Sequence, residues 1–582
     1  MPITRSAGLL ISALAAIVLL PNLGGPPLWD DDEPRNAACS LAMHASGDWV
    51  VPTFNGRLRV EKPALVNWLH LAGFAVAGVN ETGARLASAV LTIGTCLLTA
   101  LIGGLLFRPE VGCWAGIVMA TCLWTGIGGR AATPDAALTW CTTLALWLFV
   151  RGSGVPLAGR GDWRDGPVAV SRLSAVGIGV ACGFAMLAKG PVGLVLPLLA
   201  IGGFCWWQAA RDPGRAGGLL ATMASATSDA IRGLRLPVIA AAAVAVALPW
   251  YAGVALRTDG AWPRGFFLVH NLGRLTTTME GHSGSALLYF PVVLLVGTFP
   301  WSMASALVVR HAGRVATTSP AMRLLVSWIA AWVVPFCFSA TKLPGYVWPA
   351  YPAVAIAVAH FLVAWMERPA PGVDRWMRAA WTCLAASGLG LAIGLPWMAT
   401  RYAPGAEWLG LIGLVPLAGA AVAWRCQSLC SRIAASSAWA ATACCTIGLL
   451  LAAGPAALGT AGGTRDLVAT LGRPGRPHVP VGLFNAPASA AFYASRATGC
   501  GAVHDLAEPA AAAAFVASHP GAHLVVDAHY EEPVTAALPP HYRVVRAATS
   551  FPTGRRVLLL GPGPTDSPRR FAADPGAIPS RR

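Results

Sequence analysis

Long runs of apolar residues recur along the first 460 positions of this 582-residue chain. An α-helix needs about 20 mostly apolar residues to cross the hydrocarbon core of a bilayer. The run over 173–207 is too long for one crossing and is interrupted by Lys189-Gly190-Pro191, so we divide it into two spans. The sequence therefore predicts a polytopic α-helical membrane protein over residues 1–460, with about 13 transmembrane helices. They lie near 6–22, 84–107, 111–128, 136–150, 173–188, 190–207, 236–256, 286–309, 322–340, 346–365, 379–399, 408–424 and 434–458.

The composition agrees with a chain that is buried in lipid. Hydrophobic residues make up 55% of the sequence and charged residues only 12%, whereas soluble domains carry about 25% charged residues. The formal net charge is +16. The arginines are scattered over short connections between the apolar runs, which is the pattern that sets membrane topology, so the charge does not predict nucleic acid as a partner.

The basic residues are distributed unevenly between alternate connections. One set of connections holds about 18 of them and the opposite set about 12, although the second set includes the long 22–83 loop. Because cytoplasmic loops are enriched in Lys and Arg, the first set is predicted to be cytoplasmic. The 22–83 loop, the 257–285 loop and the C-terminus are therefore predicted to lie on the outer face.

The region over 464–562 differs in character from the apolar runs. Short β-like runs alternate there with alanine-rich helical stretches such as Ala510–Ser518. The β-like runs are Val479–Phe484, His523–Val526, Tyr542–Val545 and Arg556–Leu560. This alternation predicts a small α/β domain on the outer face. Residues 563–582 are rich in Pro, Arg and Ala and are predicted to be a disordered tail.

Carboxylates are concentrated in the predicted outer connections. The 22–83 loop contains the run Asp30-Asp31-Asp32-Glu33, followed by Pro34 and Arg35. An acidic residue before a proline is a good helix N-terminus, and Asp135 after Thr133-Pro134 allows the same structural interpretation. Four consecutive acids exceed what capping needs. Their mutual repulsion favours a bound cation or a base function.

Lysine is rare in this arginine-rich sequence and occurs only at Lys62, Lys189 and Lys342. All three lie in connections that are predicted to be on the outer face. Lysine is a compact point charge that can contact a single phosphate oxygen. We therefore predict that the lysines share a pocket. The alternative is that each lysine only extends from a helix end toward the interface.

A metal site is a weaker candidate. Glu61, His270 and His282 lie in the predicted outer loops and are residue types that bind divalent cations. Interfacial histidines are also ordinary hydrogen-bonding groups. The sequence thus requires no cofactor and leaves a divalent metal open.

A succession of short motifs resembles one known superfamily. In chain order, these are D-E-x-R at 32–35, G-D-W-x-x-P at 47–52, E-K-P at 61–63, R-x-x-x-x-D at 130–135, K-G-P at 189–191 and K-L-P-x-Y at 342–346. Over about residues 1–365 the chain resembles the bacterial lipid-linked-sugar glycosyltransferases of the protein-O-mannosyltransferase and aminoarabinose (lipid A) transferase superfamily. The resemblance implies the GT-C fold and an active site on the periplasmic face of the inner membrane.

The resemblance also implies roles for individual residues. Asp32 with Glu33 corresponds to the acidic motif that carries the catalytic acid, and Asp135 corresponds to the second acid. The register of the first acid stays open between Asp30 and Asp32, because three aspartates precede Glu33. Five residues correspond to groups that face the donor phosphate: Lys62, Arg274, Tyr346, Lys342 and Arg35.

The predicted function follows from the location and the missing nucleotide motifs. The outer face has no supply of nucleotides, and the chain has no Walker or dinucleotide glycine motif. The predicted donor is therefore a polyprenyl-phosphate sugar, and the acceptor is lipid A, another glycan or a protein. We expect single displacement with inversion. A transporter or lipid flippase is the alternative, and such proteins place ionisable groups near the middle of the membrane. A membrane scaffold without catalytic activity is a third hypothesis.

Overall fold

The computed structural model describes residues 2–29, 32–153, 168–211, 218–273, 284–285, 287–459, 463–469, 471, 479–550 and 554–563. The chain divides into two compact units, Met1–Ala461 and Gly462–Arg582. The first unit is helical, and the second contains a five-stranded sheet. The predicted class is thus confirmed. The predicted tail over 563–582 lies outside the described residues, except for Gly563.

A helix occupies every predicted membrane range. These helices are α1 (Arg5–Leu19), α4 (Glu81–Leu106), α5 (Pro109–Ala120), α6 (Leu123–Gly129), α7 (Asp135–Gly152), α8 (Arg172–Lys189), α9 (Val192–Ala209), α11 (Leu236–Arg257), α13 (Tyr289–Gly297), α14 (Ser305–Ala316), α15 (Pro320–Cys337), α16 (Tyr351–Glu367), α17 (Val373–Tyr402), α18 (Leu414–Ser428) and α19 (Arg432–Gly459). In the described part of the chain, nine helices are long and apolar enough to cross a membrane, or up to 11 if two bent pairs are each one span. Helices α1 and α7 do not pass this test, so the predicted number of about 13 is not confirmed.

Two predicted spans are interrupted. The range 111–128 is divided into α5 and α6, which meet at 61°, and the range 286–309 is bent by 116° after α13. The two breaks contact each other. The N–H of Leu123 donates to the carbonyl of Phe299 over 3.0 Å, and the indole N–H of Trp301 donates to the Thr121 hydroxyl over 2.9 Å. Backbone groups freed inside a membrane need such protein partners.

The predicted outer loop over 22–83 is itself largely folded. It contains α2 (Asp32–Ser46), α3 (Leu65–Ala77) and a two-residue antiparallel pair, β1 (Thr53–Phe54) with β2 (Arg57–Leu58). Asp32 and Glu33 occupy the first turn of α2, where negative charge is stabilised by the helix dipole. The other outer and inner connections contribute α10 (Leu219–Gly233), α12 (Ala261–Arg264) and a π-helix over Gly265–Gly273.

Helix α4 links the two ends of the first unit. It has 26 residues and is therefore about 39 Å long. Arg85 lies near its N-terminus, beside the folded outer loop, and Leu106 lies at its C-terminus. Close packing along α4 depends on small residues. A Cβ atom on Gly112 of α5 would lie 2.5 Å from the carbonyl oxygen of Ala100, so only glycine permits this approach.

The second unit is a small α/β domain. Its helices are α20 (Thr464–Val468), α21 (Ala488–Thr498), α22 (Pro509–Ser518) and α23 (Glu531–Ala537). Its strands are β3 (Val481–Phe484), β4 (Val503–Leu506), β5 (His523–Asp527), β6 (Tyr542–Thr549) and β7 (Arg556–Pro562), in the order β4-β3-β5-β7-β6. Strand β3 pairs in parallel with β4 and β5, and β7 pairs antiparallel with β5 and β6. Strand β4 was not among the predicted β-like runs.

Candidate active site

Glu33 of the acidic run is buried and fully engaged. Its carboxylate accepts two hydrogen bonds from the guanidinium of Arg85, of 3.0 and 2.8 Å. It also accepts 2.7 Å bonds from the backbone N–H groups of Trp29 and Ala132. Glu33 therefore connects the outer loop to α4 and to the turn before α7. Four donors satisfy this carboxylate, so it joins these segments of the chain.

Arg85 extends the same network. Its remaining N–H groups donate to the carbonyls of Leu23, Pro26 and Pro27, over 2.8 to 3.0 Å. The side chains of Arg85 and Glu33 are only 6% and 8% exposed. A buried ion pair of this kind fixes the path of the chain that leads into Asp32.

Replacement of Arg85 by methionine is expected to lower the free energy of unfolding by about 3–5 kcal/mol, because Glu33 keeps a buried charge without its partner. Equilibrium unfolding in mixed detergent measures this loss. Arg108→Met is the matched control. It removes the same group from an exposed ion pair with Glu367, which we expect to contribute less than about 1 kcal/mol. Equal losses in the two variants would contradict the structural role of the Arg85–Glu33 pair.

Asp32 is the other described acid of this run, and it is accessible. Its side chain is 47% exposed, and its Oδ2 atom lies 3.9 Å from the ammonium of Lys62. Lys62 itself is only 7% exposed. The buried ammonium therefore places a positive charge beside a carboxylate that is partly exposed, and this charge favours the ionised form of the carboxylate. Asp30, the alternative position for the first acid, lies outside the described residues.

Asp135, Lys189 and Tyr346 form a second charged group. The ammonium of Lys189 pairs with the Asp135 carboxylate and lies over the ring of Tyr346, 5.1 Å from its centre. Asp135 begins α7, and Lys189 ends α8. A Cβ atom on Gly345 would lie 2.9 Å from Oδ2 of Asp135, so the glycine before Tyr346 lets the two segments meet. Cation–π contact holds the lysine between its carboxylate and the ring.

The two charged groups face one cavity, which we call the carboxylate cavity. Its volume is about 290 Å³. Its walls come from the outer loop, the start of α4, α6, α7, the end of α8 and the segment over 343–348. The charged and tyrosine lining residues are Asp32, Glu33, Lys62, Arg85, Arg130, Asp135, Lys189 and Tyr346. The structure thus brings together all three predicted acids and two of the five predicted phosphate-binding residues.

A second cavity of about 340 Å³ adjoins the first, and we call it the aromatic cavity. Phe266, Phe267, Trp332 and Phe336 line it, together with aliphatic residues of α7 and α9. Lys62, Lys189 and Tyr346 line both cavities. The wall that the cavities share therefore carries two ammonium groups. Asp32, Glu33 and Asp135 lie on one side of it, and mainly apolar side chains with Glu61 and His270 lie on the other.

Lys342 is placed differently from the prediction. Its side chain is buried, and its ammonium donates to the carbonyls of Phe336, Cys337 and Ser339, over 3.4, 2.9 and 2.8 Å. These carbonyls lie at and just beyond the C-terminus of α15, where a lysine is favourable. Lys342 is not among the residues that line the two cavities. In this position the ammonium caps the end of α15.

Replacement of Lys342 by methionine is therefore expected to lower stability by about 3 kcal/mol, since charge-assisted bonds to buried carbonyls are lost. The folded fraction of this variant should keep the wild-type KM for the polyprenyl-phosphate donor that the sequence predicts. Thermal unfolding in detergent and initial rates measured on the same samples test both points. A stable variant with a strongly raised KM would restore the predicted role in phosphate binding.

The other predicted residues have separate outcomes. Arg35 is half-buried in the first turn of α2, and it does not line either cavity in the described structure. Arg274 and His282 lie outside the described residues. Glu61 and His270 both line the aromatic cavity. Among the described residues, no group of three or more His, Cys, Asp or Glu side chains converges as a metal site would require.

Three charged residues that line the carboxylate cavity were given no individual role by the sequence: Arg85, Arg130 and Lys189. The scarcity of lysine predicted only that Lys189 shares a pocket with Lys62 and Lys342. Arg85 begins an apolar run, and sequence alone gives no sign that it pairs with Glu33. Arg130 donates to the carbonyls of Leu19, Pro21 and Asn22, so it positions the chain that leaves α1. In the sequence, only its place in the R-x-x-x-x-D motif distinguishes it from other arginines.

Comparison with known proteins gives matches in sequence. Residues 61–223 match the family model for dolichyl-phosphate-mannose-protein mannosyltransferase. An undecaprenyl phosphate-alpha-4-amino-4-deoxy-L-arabinose arabinosyl transferase of Erwinia tasmaniensis is 27% identical over 464 residues, which are 78% of this chain and 77% of that protein. The protein of the same name from Pseudomonas aeruginosa strain UCBPP-PA14 is 30% identical over 359 residues, 61% of this chain and 59% of that protein. For the Shewanella sediminis protein the identity is 27%, over 61% of this chain and 60% of that protein. The chain thus aligns with about three fifths of the length of two of these three relatives.

Solved structures give a match over nearly the whole chain. The crystal structure of ArnT from Cupriavidus metallidurans bound to undecaprenyl phosphate has a TM-score of 0.75, with 95% of this chain and 97% of that chain covered, at 22% identity. The apo structure of the same protein gives the same values. This match establishes the predicted GT-C fold. Together the comparisons support a transferase over the transporter or flippase alternative.

Proposed function

We propose that this chain, which belongs to the GT-C superfamily of protein mannosyltransferases and aminoarabinose transferases, moves a sugar from a polyprenyl-phosphate donor to an acceptor at the carboxylate cavity. The observation that carries the proposal is the wall shared by the two cavities. Its residues Lys62, Lys189 and Tyr346 lie between the cavity that Asp32, Glu33 and Asp135 line and the cavity that Phe266, Trp332 and Phe336 line. A polyprenyl-phosphate sugar has the same three parts in the same order. These are a polar sugar, an anionic phosphate and an apolar chain.

The donor fits this arrangement in one orientation. Its first isoprene units would lie in the aromatic cavity among Phe266, Trp332 and Phe336. Its phosphate would lie at the shared wall, where Lys62 is buried and therefore weakly screened. Its sugar would then lie in the carboxylate cavity. The volume of about 290 Å³ suits a single sugar residue with room for the attacking acceptor atom.

The reaction is a single displacement at the anomeric carbon. An acceptor oxygen forms the new bond to this carbon, while the bond from the carbon to the phosphate oxygen breaks and the electron pair leaves with the polyprenyl phosphate. The configuration is thereby inverted. Lys62 offsets the charge that develops on the phosphate. If the acceptor is a hydroxyl, its proton passes to the Asp32 carboxylate, which is the accessible acid of the site.

Asp135 and Lys189 complete the site as a pair. Lys189 forms an ion pair with Asp135, which holds this carboxylate in a fixed position within the site. The pair presents a fixed dipole beside the position of the sugar, with Tyr346 beneath the lysine. We assign it to orienting the sugar and supporting positive charge at its anomeric carbon in the transition state.

The relatives named above supply the first donor to test, undecaprenyl phosphate bearing 4-amino-4-deoxy-L-arabinose. The proposed acceptors are lipid A, another envelope glycan or a protein, on the periplasmic face of the bacterial inner membrane. Glu61 and His270 could hold a divalent cation at the aromatic cavity, where it would add positive charge beside the phosphate.

The test is sugar transfer by purified protein in lipid nanodiscs. Undecaprenyl-phosphate donors that carry radiolabelled sugars are incubated with lipid A, envelope glycan and membrane protein in separate reactions. We expect label to move from one lipid-linked donor to one acceptor class, with the opposite anomeric configuration in the product. Nucleotide sugars serve as the control donor. Transfer from a nucleotide sugar alone, or no transfer by folded protein from any lipid-linked donor, would contradict the proposal.

A further inference from the structure

A third cavity lies at the opposite end of the first unit, and we call it the opposite-end cavity. It has a volume of about 570 Å³, and the turn between α4 and α5 and the last turns of α16 line it. Along α4, Arg85 at the carboxylate cavity and Leu106 at this cavity are separated by about 32 Å. The opposite-end cavity is therefore at the other membrane face from the proposed active site, which uses none of its residues.

The polar lining of this cavity is mainly basic. Arg108, Arg368 and His360 line it, and Glu367 is the single acid among the lining residues. Glu367 contacts Nη2 of Arg108, and Glu110 lies 3.8 Å from its Nε atom. A guanidinium has five N–H groups, and these two contacts do not involve Nη1. The guanidinium of Arg108 is thus held in place by carboxylates while part of it can still donate to another anion.

His360 adds a further polar group. Its Nδ1 atom lies 2.8 Å from Nε2 of His311, so one ring donates and the other accepts. When His311 is the donor, a neutral His360 carries its own proton on Nε2. In this tautomer the Nε2–H group of His360 is a hydrogen-bond donor in addition to the guanidinium groups. The histidine ring is fixed by contact with Phe107, with ring centres 4.3 Å apart.

The remaining lining is apolar and comes from membrane helices. Leu106, Phe107, Val111, Val363 and Ala364 form this part of the wall. Helix α5 also begins here. Pro109 is its first residue, and Glu110 in its first turn offsets the positive end of the helix dipole, so the basic character comes from the arginines. An occupant must therefore combine an anionic headgroup with a hydrocarbon part.

We propose that the opposite-end cavity binds an anionic membrane phospholipid, with the phosphate against Arg108, Arg368 and His360 and an acyl chain along the apolar wall. Basic pockets between transmembrane helices at the cytoplasmic side favour such headgroups, and the arginine count predicts that Arg108 is cytoplasmic. The chemistry of recognition is that of a phosphate group, which a lipid or free phosphate could supply. The apolar half of the lining favours the lipid.

The experiment compares lipid binding by the full chain and by Arg368→Gln. Purified protein in neutral detergent is titrated with phosphatidylglycerol, and bound lipid is counted by native mass spectrometry. Loss of one arginine contact is expected to weaken binding about fivefold. The control is Arg375→Gln, which removes an exposed arginine that lies over Trp376 and does not line the cavity. Raising the salt concentration should weaken binding by the wild-type protein, because exposed charges are screened.

Two further measurements distinguish a bound lipid from bound inorganic phosphate. Phosphatidylcholine, whose headgroup has no net charge, should bind more weakly than phosphatidylglycerol. Inorganic phosphate at millimolar concentration should not displace the lipid. Equal affinity of the wild-type protein and Arg368→Gln for phosphatidylglycerol would overturn the proposal, as would displacement by inorganic phosphate or equal binding of phosphatidylcholine. A loss of affinity in Arg368→Gln but not in Arg375→Gln supports it.

Discussion

Replacement of Asp32 by asparagine is expected to lower the rate of sugar transfer by about 10²–10⁴-fold, because the side chain that receives the acceptor proton is lost. Asparagine keeps the size of the side chain and its position in the first turn of α2, so the fold should be retained. The Asp32 side chain lines the carboxylate cavity and is 47% exposed. Initial rates at saturating donor, together with thermal unfolding of the same sample, measure the effect.

The control for this prediction is Asp259→Asn. Asp259 is an exposed residue with a left-handed backbone, φ 48°, which asparagine adopts readily. This variant makes the same chemical change outside both cavities and should transfer sugar at the wild-type rate. A small effect of Asp32→Asn would identify an acceptor that needs no base, such as a phosphate oxygen. That result would remove the base role and leave the transferase intact. Equal losses in both variants would contradict a specific role for Asp32.

Replacement of Lys62 by methionine is expected to lower kcat by about 10²–10³-fold, because positive charge at the leaving phosphate stabilises the transition state. Methionine has a similar length and suits the buried position, where lysine is 7% exposed. Binding of undecaprenyl phosphate should weaken as well, since the phosphate loses a contact in both its bound and its departing form. Single-turnover rates and binding of labelled undecaprenyl phosphate separate the two effects.

Arg264→Met is the matched control for Lys62. Arg264 is an exposed cation of the same predicted outer face and donates to the carbonyls of Asp259 and Gly260. Its removal should leave both the rate and donor binding unchanged. If Lys62→Met instead transfers sugar at the wild-type rate, the shared wall of the two cavities is not the site of the phosphate, and the proposed donor orientation fails.

The sequence predicted those features that depend on local composition. The apolar runs located the membrane helices, because a helix that is solvated by lipid must be apolar over its whole length. The scarcity of lysine predicted a shared pocket, and Lys62 and Lys189 both line the carboxylate cavity. The structural interpretation of the acidic run as a helix N-terminus agrees with the first turn of α2, which contains Asp32 and Glu33.

The features that the sequence did not predict depend on distant partners. Glu33 and Asp32 are adjacent and chemically alike, and only the position of Arg85 distinguishes the clamped carboxylate from the accessible one. Lys342 belongs to the same motif as Tyr346, yet its ammonium turns back to the end of α15. The sequence also did not predict the bends in two spans. Hydropathy measures only how apolar a segment is, and it does not change where the backbone groups at a break form hydrogen bonds with another helix.

The most direct test of the proposed donor site is an experimental structure of the chain with undecaprenyl phosphate bound. We predict that the phosphate lies within hydrogen-bond distance of the Lys62 ammonium at the shared wall. The first isoprene units should lie among the aromatic side chains of Phe266, Trp332 and Phe336. A phosphate that lies away from this wall, or a lipid chain that enters the carboxylate cavity, would contradict the account.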